Sequence, residues 1–397
     1  MSRMALPMKN SSIQLPRVLL AITLGLIATV CTAIPAIERL ATVYSFDDGS
    51  RVQVEVIARG LHVPWGMAFT PAGGIIVSER IGRLQLISAN GSMRELDSLP
   101  QVYARDESGL MGIALHSLSR DQLFIYLCYS ERKGIFGTEN VLIKAMLGRF
   151  GLLDEQELLR WQGDRFHNGC QVAIGPDQLL YVTTGDATEG DNAQDLDSLL
   201  GKLLRLQLDG SIPTDNPFSG SPVYSFGHRN PQGLSWQDDQ IFLVEHGPSG
   251  FDGPRGSDEL NRIQAGGNYG WPEDYGRTNG SSNKPGDSIT QQRQTPILLW
   301  DQSIAPAGLL VYRGDKLPRW RNQLFVAALA GESLVRVALD DRGDPVDQEV
   351  LFKGEFGRIR AVAEGPDGYL YFTTSNLDGR GTPRTRGDLL LRVVPAN

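Results

Sequence analysis

Several sequence signatures that define common protein classes are missing from this 397-residue chain. Lysine and arginine total 38 against 46 acidic residues, and the resulting net charge of -8 argues against a nucleic-acid partner, which usually leaves a basic surface. No nucleophile elbow, P-loop, dinucleotide-binding fingerprint or zinc-ligand spacing occurs in it. The chain therefore lacks the marks of the common serine hydrolases, nucleotide-dependent enzymes and zinc proteins.

Cysteine is also scarce. The three cysteines, Cys31, Cys128 and Cys170, are too few for a disulfide framework. If Cys31 is removed with a leader, one bridge between Cys128 and Cys170 is possible. We expect two buried free thiols instead.

The first 36 residues have the composition of a targeting segment. Three basic residues, Arg3, Lys9 and Arg17, precede an uncharged run over 18–37 with a small-residue site at 31–33. This pattern predicts a signal peptide, although the run is also long enough for an uncleaved membrane anchor. A lipoprotein site at Cys31 is disfavoured because Val30 is bulky. We expect export to the periplasm or the extracellular space, with membrane contact only through this segment.

Long helical periodicity is absent, and a turn followed by an apolar strand recurs instead. The six copies lie at 72–77, 121–126, 175–182, 239–244, 322–326 and 365–372. Imperfect strand repeats on this scale are typical of propeller blades. The sequence thus predicts an all-β, six-bladed β-propeller of four-stranded antiparallel blades over residues 48–397. One segment, 195–207, fits either a short helix or a turn into a strand.

The stretch from Ser225 to Trp271 is dense in residues that a core does not need. Its apolar strand ends on Gly247-Pro248 and is followed by a polar, glycine-rich loop with Asp258 and Glu259. Calcium takes oxygen ligands from both carbonyls and carboxylates, so a hard-cation site is one interpretation of this loop. A solvated acidic loop is the other.

Five histidines are the candidates for a proton-transfer group near neutral pH. His167, among charged and amide residues just before a strand, is the better candidate for a base. His116 follows an apolar run and is most simply structural, whereas His62 and His246 lie at strand edges and remain ambiguous.

Two arginines near the last repeat form a candidate anion-binding pair. Arg358 and Arg360 stand at i and i+2 of an extended segment, so both side chains point to one face. Two guanidinium groups on one face can anchor a polycarboxylate through bidentate hydrogen bonds.

Ten short motifs in one order resemble the soluble pyrroloquinoline quinone (PQQ)-dependent sugar dehydrogenases, the glucose/sorbosone and aldose sugar dehydrogenase family. They lie within residues 55–395: LHVPWGMAF (61–69), GLMGIA (109–114), HNG (167–169), GPD (175–177), LYVTTGD (180–186), GHRNPQG (227–233), EHGP (245–248), DELN (258–261), GGNYGWP (266–272) and RIR (358–360). The resemblance implies a six-bladed propeller, in agreement with the six repeats.

The resemblance also implies an activity and its residues. The expected reaction oxidises the anomeric hydroxyl of an aldose to a lactone, with His167 as general base, Arg229 as a catalytic cation and PQQ as hydride acceptor. The expected PQQ-binding residues are Glu107, Asp186, Arg229, Asn230, Arg358 and Arg360. The expected Ca²⁺ ligands are the carbonyls of Gly247 and Pro248 and, at a structural site, Glu259 and the carbonyl of Tyr269. A quinone or cytochrome would accept the electrons.

Three positions depart from the family pattern. Glu107 stands where the family has a glutamine that contacts the cofactor, and Ala330 stands where a lysine is expected. Phe166 replaces the acidic neighbour that precedes the base in some members. A carboxylate that faces a polyanionic cofactor weakens its binding, so the alternative function is a non-catalytic, calcium-stabilised propeller that binds carbohydrate or protein. A lactonase-type hydrolase fits less well, because it would need several side-chain oxygens on one ion.

Overall fold

β-strands joined by turns and loops form the computed structural model, which describes residues 37–97, 99–119, 122–135, 137–276, 293–383 and 387–396. The strands are β1 Glu38–Arg39, β2 Tyr44–Ser45, β3 Arg51–Leu61, β4 Pro64–Phe69, β5 Ile75–Glu79, β6 Arg83–Ile87, β7 Met93–Glu95, β8 Leu110–Ser119, β9 Gln122–Lys133, β10 Gly137–Leu147, β11 Leu152–Gly163, β12 Gly169–Ile174, β13 Leu180–Thr184, β14 Lys202–Leu206, β15 Val223–Phe226, β16 Pro231–Gln237, β17 Gln240–Glu245, β18 Asp258–Ile263, β19 Leu298–Trp300, β20 Pro306–Tyr312, β21 Gln323–Ala328, β22 Ser333–Leu339, β23 Pro345–Leu351, β24 Ile359–Glu364, β25 Leu370–Thr374 and β26 Asp388–Pro395. Two single turns of 3-10 helix, Gly190–Ala193 and Pro318–Trp320, are the helical elements of these residues. The predicted targeting segment, residues 1–36, lies outside the described residues.

The strands form six antiparallel sheets in the described part of the chain, and this confirms the predicted six-bladed propeller. Blades 1 to 5 are β4–β7, β8–β11, β12–β15, β16–β19 and β20–β23. Blade 6 combines β24, β25 and β26 with the early strand β3, which also pairs with β1 and β2. The first strand of each blade contacts the first strand of the next, and β24 contacts β4. The ring therefore closes, with the amino-terminal strand completing the last blade.

The six sequence repeats correspond to one position in the blades. Each predicted apolar strand becomes the second strand of its sheet: β5, β9, β13, β17, β21 and β25. The ambiguous segment 195–207 resolves as a turn into strand β14, Lys202–Leu206. No described residue forms an α-helix, and no helix in these ranges is long and apolar enough to cross a membrane.

The hydrophobic core lies between neighbouring blades. Six clusters of buried side chains are present in the described residues, and each joins two consecutive blades around the ring. Burial of apolar area at these six interfaces is the main force that holds the blades together.

A disulfide between Cys128 and Cys170 lies within the cluster that joins blades 2 and 3. It joins β9 to β12, with a Cα–Cα distance of 5.6 Å, well inside the range that a bridge requires. The expectation of two free thiols was therefore wrong. The residues come together because the first strand of blade 3 packs on blade 2, a contact that sequence spacing does not reveal.

The strand pairing gathers loops at one end of the propeller. Because the first two strands of a blade are antiparallel, the residue that opens the first strand pairs with one near the end of the second. These pairs are Pro64 with Glu79, Leu110 with Tyr129, Gly169 with Thr184, Pro231 with Glu245, Pro306 with Ala328, and Ile359 with Thr374. Loops before first strands and after second strands therefore meet at the same channel mouth.

Candidate active site

His167 and Asp186 form a buried pair at this mouth. His167 lies two residues before β12, and Asp186 lies two residues after β13. Their side chains meet at 2.8 Å between His167 Nδ1 and Asp186 Oδ1. Asp186 Oδ2 accepts a second hydrogen bond from the indole nitrogen of Trp271 at 2.7 Å. The carboxylate thus holds the imidazole with Nδ1 protonated and Nε2 available as an acceptor.

Gly185 allows the close approach that this pair needs. A Cβ atom at Gly185 would lie 2.0 Å from the carbonyl oxygen of His167, a distance that real structures do not contain. His167 itself has φ of 53°, in the left-handed region. A non-glycine residue in that region is held there by its surroundings, a feature that concentrates at functional sites.

Arg229 faces the other imidazole nitrogen. Its NH2 group lies 3.0 Å from His167 Nε2 and donates a hydrogen bond of 2.8 Å to the hydroxyl of Ser249. The same guanidinium is paired with Asp252 at 2.6 Å and lies over the Trp271 ring, 5.4 Å from its centroid. Arg229 is buried, so its charge acts where water does not screen it.

A cavity of about 900 Å³ is lined by Ser249, which accepts a hydrogen bond from Arg229, and by residues next to His167. Phe166 lines it, as does Glu107, whose Oε2 accepts the backbone N–H of His167 at 3.2 Å. Its walls carry five arginines: Arg80, Arg255, Arg358, Arg360 and Arg380. Such a concentration of cations is suited to a polyanionic ligand.

The predicted arginine pair lines this cavity, as expected from its spacing. Arg358 is paired with Asp378 at 2.7 Å, and Asp378 itself lies on the cavity wall. Arg360 lies deeper, donates to Gln232 at 3.2 Å and lies over the Trp65 ring. Burial lowers the pKa of Arg360 to about 10, yet at neutral pH it remains charged.

All three positions that depart from the family pattern, Glu107, Phe166 and Ala330, line the cavity. Ala330 lies on its wall as an exposed residue. Glu107 does not present an uncompensated charge, because Oε1 is 2.8 Å from Arg380 NH2 while Oε2 binds His167 N–H. The expected repulsion between this carboxylate and an anionic ligand is therefore reduced by its own partner.

Two buried polar groups near the mouth lack a hydrogen-bond partner among the described residues: Asn230 Nδ2 and His246 Nε2. Asn230 Oδ1 accepts the N–H of Gly169, so the amide fixes the start of β12. His246 lines the 900 Å³ cavity, and burial, followed by the charge of Arg229, lowers its pKa well below 6.5. Its sequence position left it ambiguous, whereas the structure places it at the site.

Gly247 and Pro248, the predicted carbonyl ligands, line the same cavity. Asp258 Oδ1 accepts the Gly247 N–H at 2.9 Å, and Asp258 Oδ2 accepts the backbone N–H groups of Ile304 and Ala305. Asp258 therefore serves as an amide acceptor that shapes the loop. The Pro248 carbonyl accepts from Gly256 N at 3.1 Å and keeps a second lone pair.

Glu259 and Tyr269, the predicted structural-calcium residues, line a smaller cavity with Glu245 and Asp274. Asn261 Nδ2 bridges Glu245 Oε1 and Glu259 Oε2, at 3.0 Å each. Burial and then the Glu245 charge raise the pKa of Glu259 well above 4.5. No group of three His, Cys, Asp or Glu side chains in the described ranges is arranged as a metal cage. A cation at this point would need backbone carbonyls to complete its shell.

Sequence reasoning missed several residues of the site. Asp252 and Ser249 hold Arg229, Trp271 holds Asp186, and Arg80 and Arg380 add charge to the cavity. Arg80 could have been found from the sequence, because it directly follows β5, the second strand of its blade, and such positions face the channel mouth. Asp252 lies inside an irregular loop, where local sequence carries no such signal.

Comparisons with known proteins agree with this architecture. The family model described as Glucose / Sorbosone dehydrogenase matches residues 61–391. Aldose sugar dehydrogenase YliI of Escherichia coli is 33% identical over 365 residues, which cover 87% of this chain and 94% of that protein. Quinoprotein glucose dehydrogenase B of Acinetobacter calcoaceticus is 26% identical over 415 residues, or 82% of this chain and 85% of that protein. The PQQ-bound aldose sugar dehydrogenase from Streptomyces coelicolor superposes with a TM-score of 0.74 at 33% identity and covers 87% of this chain and 98% of its own.

Proposed function

The chain belongs to the glucose/sorbosone dehydrogenase family of oxidoreductases, and on that premise we propose that it oxidises the anomeric hydroxyl of aldose sugars to lactones with PQQ and Ca²⁺. The observation that carries this proposal is the position of His167. Held by Asp186, it directly follows Phe166, which lines a 900 Å³ cavity whose walls carry five arginines and four carboxylates. A base next to a cavity with several guanidinium groups suits oxidation by a polycarboxylate cofactor.

The residues of the cavity fit PQQ. Arg358 and Arg360 would hold carboxylates of the cofactor, and His246 Nε2, which lacks a partner among the described residues, offers a further hydrogen bond. When bound, PQQ supplies a two-electron acceptor that takes the hydride from the anomeric carbon of the sugar. The protein supplies the position, the charge and the base.

His167 acts at Nε2 in this proposal. Asp186 fixes the proton on Nδ1, so Nε2 carries the lone pair that would take the proton of the anomeric hydroxyl. The imidazolium that forms is stabilised by the same carboxylate, as in other carboxylate–histidine pairs. The sugar hydroxyl must compete with Arg229, which donates to Nε2 at 3.0 Å.

Arg229 is placed to stabilise negative charge that develops beside the base. Its guanidinium is held by Asp252 and Ser249 and stacked on Trp271, so little reorganisation is needed during reaction. Asn230 positions the backbone of β12 rather than the cavity wall. We therefore assign Asn230 a supporting role.

The donor set also fits Ca²⁺. The Gly247 and Pro248 carbonyls would hold the ion that acts on the cofactor. Glu259 and the Tyr269 carbonyl would hold a structural ion, whose charge would offset the repulsion between Glu259 and Glu245.

Export completes the proposal. The basic and apolar pattern of residues 1–36 supports it, as does the Cys128–Cys170 disulfide, since such bridges persist in oxidising compartments. A quinone or a cytochrome would then receive the two electrons.

The test is a titration of the full-length protein with PQQ in calcium buffer, followed by addition of an aldose and an artificial electron dye. We expect saturable binding, dye reduction and one lactone formed per two electrons. Omission of PQQ should abolish dye reduction. No binding at micromolar PQQ would instead support the non-catalytic propeller.

A further inference from the structure

Two of the five arginines on the walls of the 900 Å³ cavity are paired with carboxylates that also line it: Arg358 with Asp378 and Arg380 with Glu107. Its five arginines are accompanied by four carboxylates, those of Asp106, Glu107, Asp301 and Asp378. An anionic ligand must therefore compete with Asp378 for Arg358 and with Glu107 for Arg380. The availability of each arginine follows from its burial and its contacts.

Arg358 and Arg360 are firmly held. The Arg358–Asp378 pair is buried, with side-chain exposures of 10% and 4%, and such pairs are costly to separate. Arg360 donates to Gln232 and to Ser375 from a buried position. Both can add a ligand contact, but neither is free to move towards one.

Arg380 is held differently. Its side chain is 57% exposed, and its ion pair with Glu107 spans 2.8 Å at the cavity wall. The guanidinium also lies over the Phe166 ring, 5.6 Å from the centroid, which keeps it near the cavity without a second charge. Exposed ion pairs contribute little free energy, so a ligand carboxylate can compete with Glu107 for this arginine.

We propose that Arg380 is an anion-binding residue of this cavity and that its guanidinium transfers from Glu107 to a carboxylate of the bound cofactor. This inference rests on the proposed function. Glu107 keeps its second hydrogen bond, from the backbone N–H of His167, so the transfer leaves the base in position. In the absence of ligand, Glu107 thus keeps the Arg380 guanidinium at the cavity wall, within reach of an anionic ligand.

The test measures the PQQ dissociation constant of the full-length protein by calorimetry in calcium buffer. Removal of a charge-assisted hydrogen bond in R380Q should weaken PQQ binding about tenfold to a hundredfold. Removal of the competing carboxylate in E107Q should strengthen it by about tenfold. R342Q is the matched control, since Arg342 is exposed on a turn and does not line the cavity.

A double variant that places a new positive charge elsewhere on the cavity wall distinguishes the loss of the Arg380 charge from a change in the shape of the cavity. Ala330 lines the same cavity, so the double variant R380Q/A330K should regain affinity. Equal PQQ binding by wild type and R380Q would overturn the inference, as would weaker binding by E107Q or no recovery in the double variant. If the wild-type protein itself does not bind PQQ, the proposed function fails instead.

Discussion

Asp186 holds both His167 and Trp271, with 2.8 Å between Oδ1 and His167 Nδ1 and 2.7 Å between Oδ2 and the indole nitrogen. Both carboxylate oxygens are therefore engaged, and the orientation of Asp186 determines which imidazole nitrogen can act as a base. In our account Asp186 positions the base rather than binding the cofactor directly.

Asp186→Asn should lower kcat by roughly 10²- to 10⁴-fold, because an amide no longer stabilises the imidazolium and can select the wrong tautomer. The measurement is steady-state dye reduction at saturating PQQ, alongside PQQ affinity. Affinity should stay near that of wild type. A kcat within about threefold of wild type would rule out this positioning role.

Trp271→Phe tests a smaller change at Asp186, because it removes one hydrogen bond to the carboxylate and leaves the carboxylate in place. The variant removes the indole N–H that binds Asp186 Oδ2 but retains an aromatic ring near Arg229. We expect a loss in kcat of about tenfold, the low end of what a hydrogen bond to a charged group contributes. A loss as large as that of Asp186→Asn would indicate that Trp271 contacts the substrate itself.

The Cys128–Cys170 bridge should stabilise the propeller at the interface of blades 2 and 3. The two residues are 42 positions apart, and a loop of that size corresponds to about 2–4 kcal/mol of unfolding free energy. Urea unfolding with and without reductant measures it. Coincident curves would mean that the two thiols are free in the folded protein.

Calcium should stabilise the protein more at higher pH. Burial and the Glu245 charge raise the pKa of Glu259 well above 4.5, so a proton must leave before a cation can bind. Without calcium, the folded state holds this proton more tightly than the unfolded state. The contribution of Glu259 to stability is therefore full below about pH 4.5 and is lost as pH rises through the folded pKa.

Thermal unfolding with calcium or chelator, at about pH 5 and about pH 8, tests whether stabilisation by calcium increases with pH. The shift in unfolding midpoint caused by calcium should be larger at the higher pH, and Glu259→Gln should reduce that difference. A calcium shift that is independent of pH, or unchanged in Glu259→Gln, would contradict the assignment of Glu259.

Much of the fold was predictable because its repeats are local. A turn and an apolar strand recur within a few residues, and each copy became the second strand of a blade. The same regularity explains why His167 and Asp186 share one end of blade 3. Residues that precede a first strand and follow a second strand must meet when the strands are antiparallel.

The contacts that were not predicted join distant or irregular segments. Trp271 reaches Asp186 across 85 positions, and Asp252 reaches Arg229 from a loop without periodicity. The disulfide depends on how blade 3 packs on blade 2. Each of these follows from tertiary packing between blades, for which a single sequence offers no spacing rule.

The most direct test of the account is the rate at which an aldose reduces protein-bound PQQ in a single turnover, measured by stopped-flow absorbance in wild type and His167→Gln. We predict a rate lower by roughly 10²- to 10⁴-fold in the variant, with the PQQ dissociation constant within about threefold of wild type. Equal rates of reduction in the two proteins would contradict the assignment of His167 as the base.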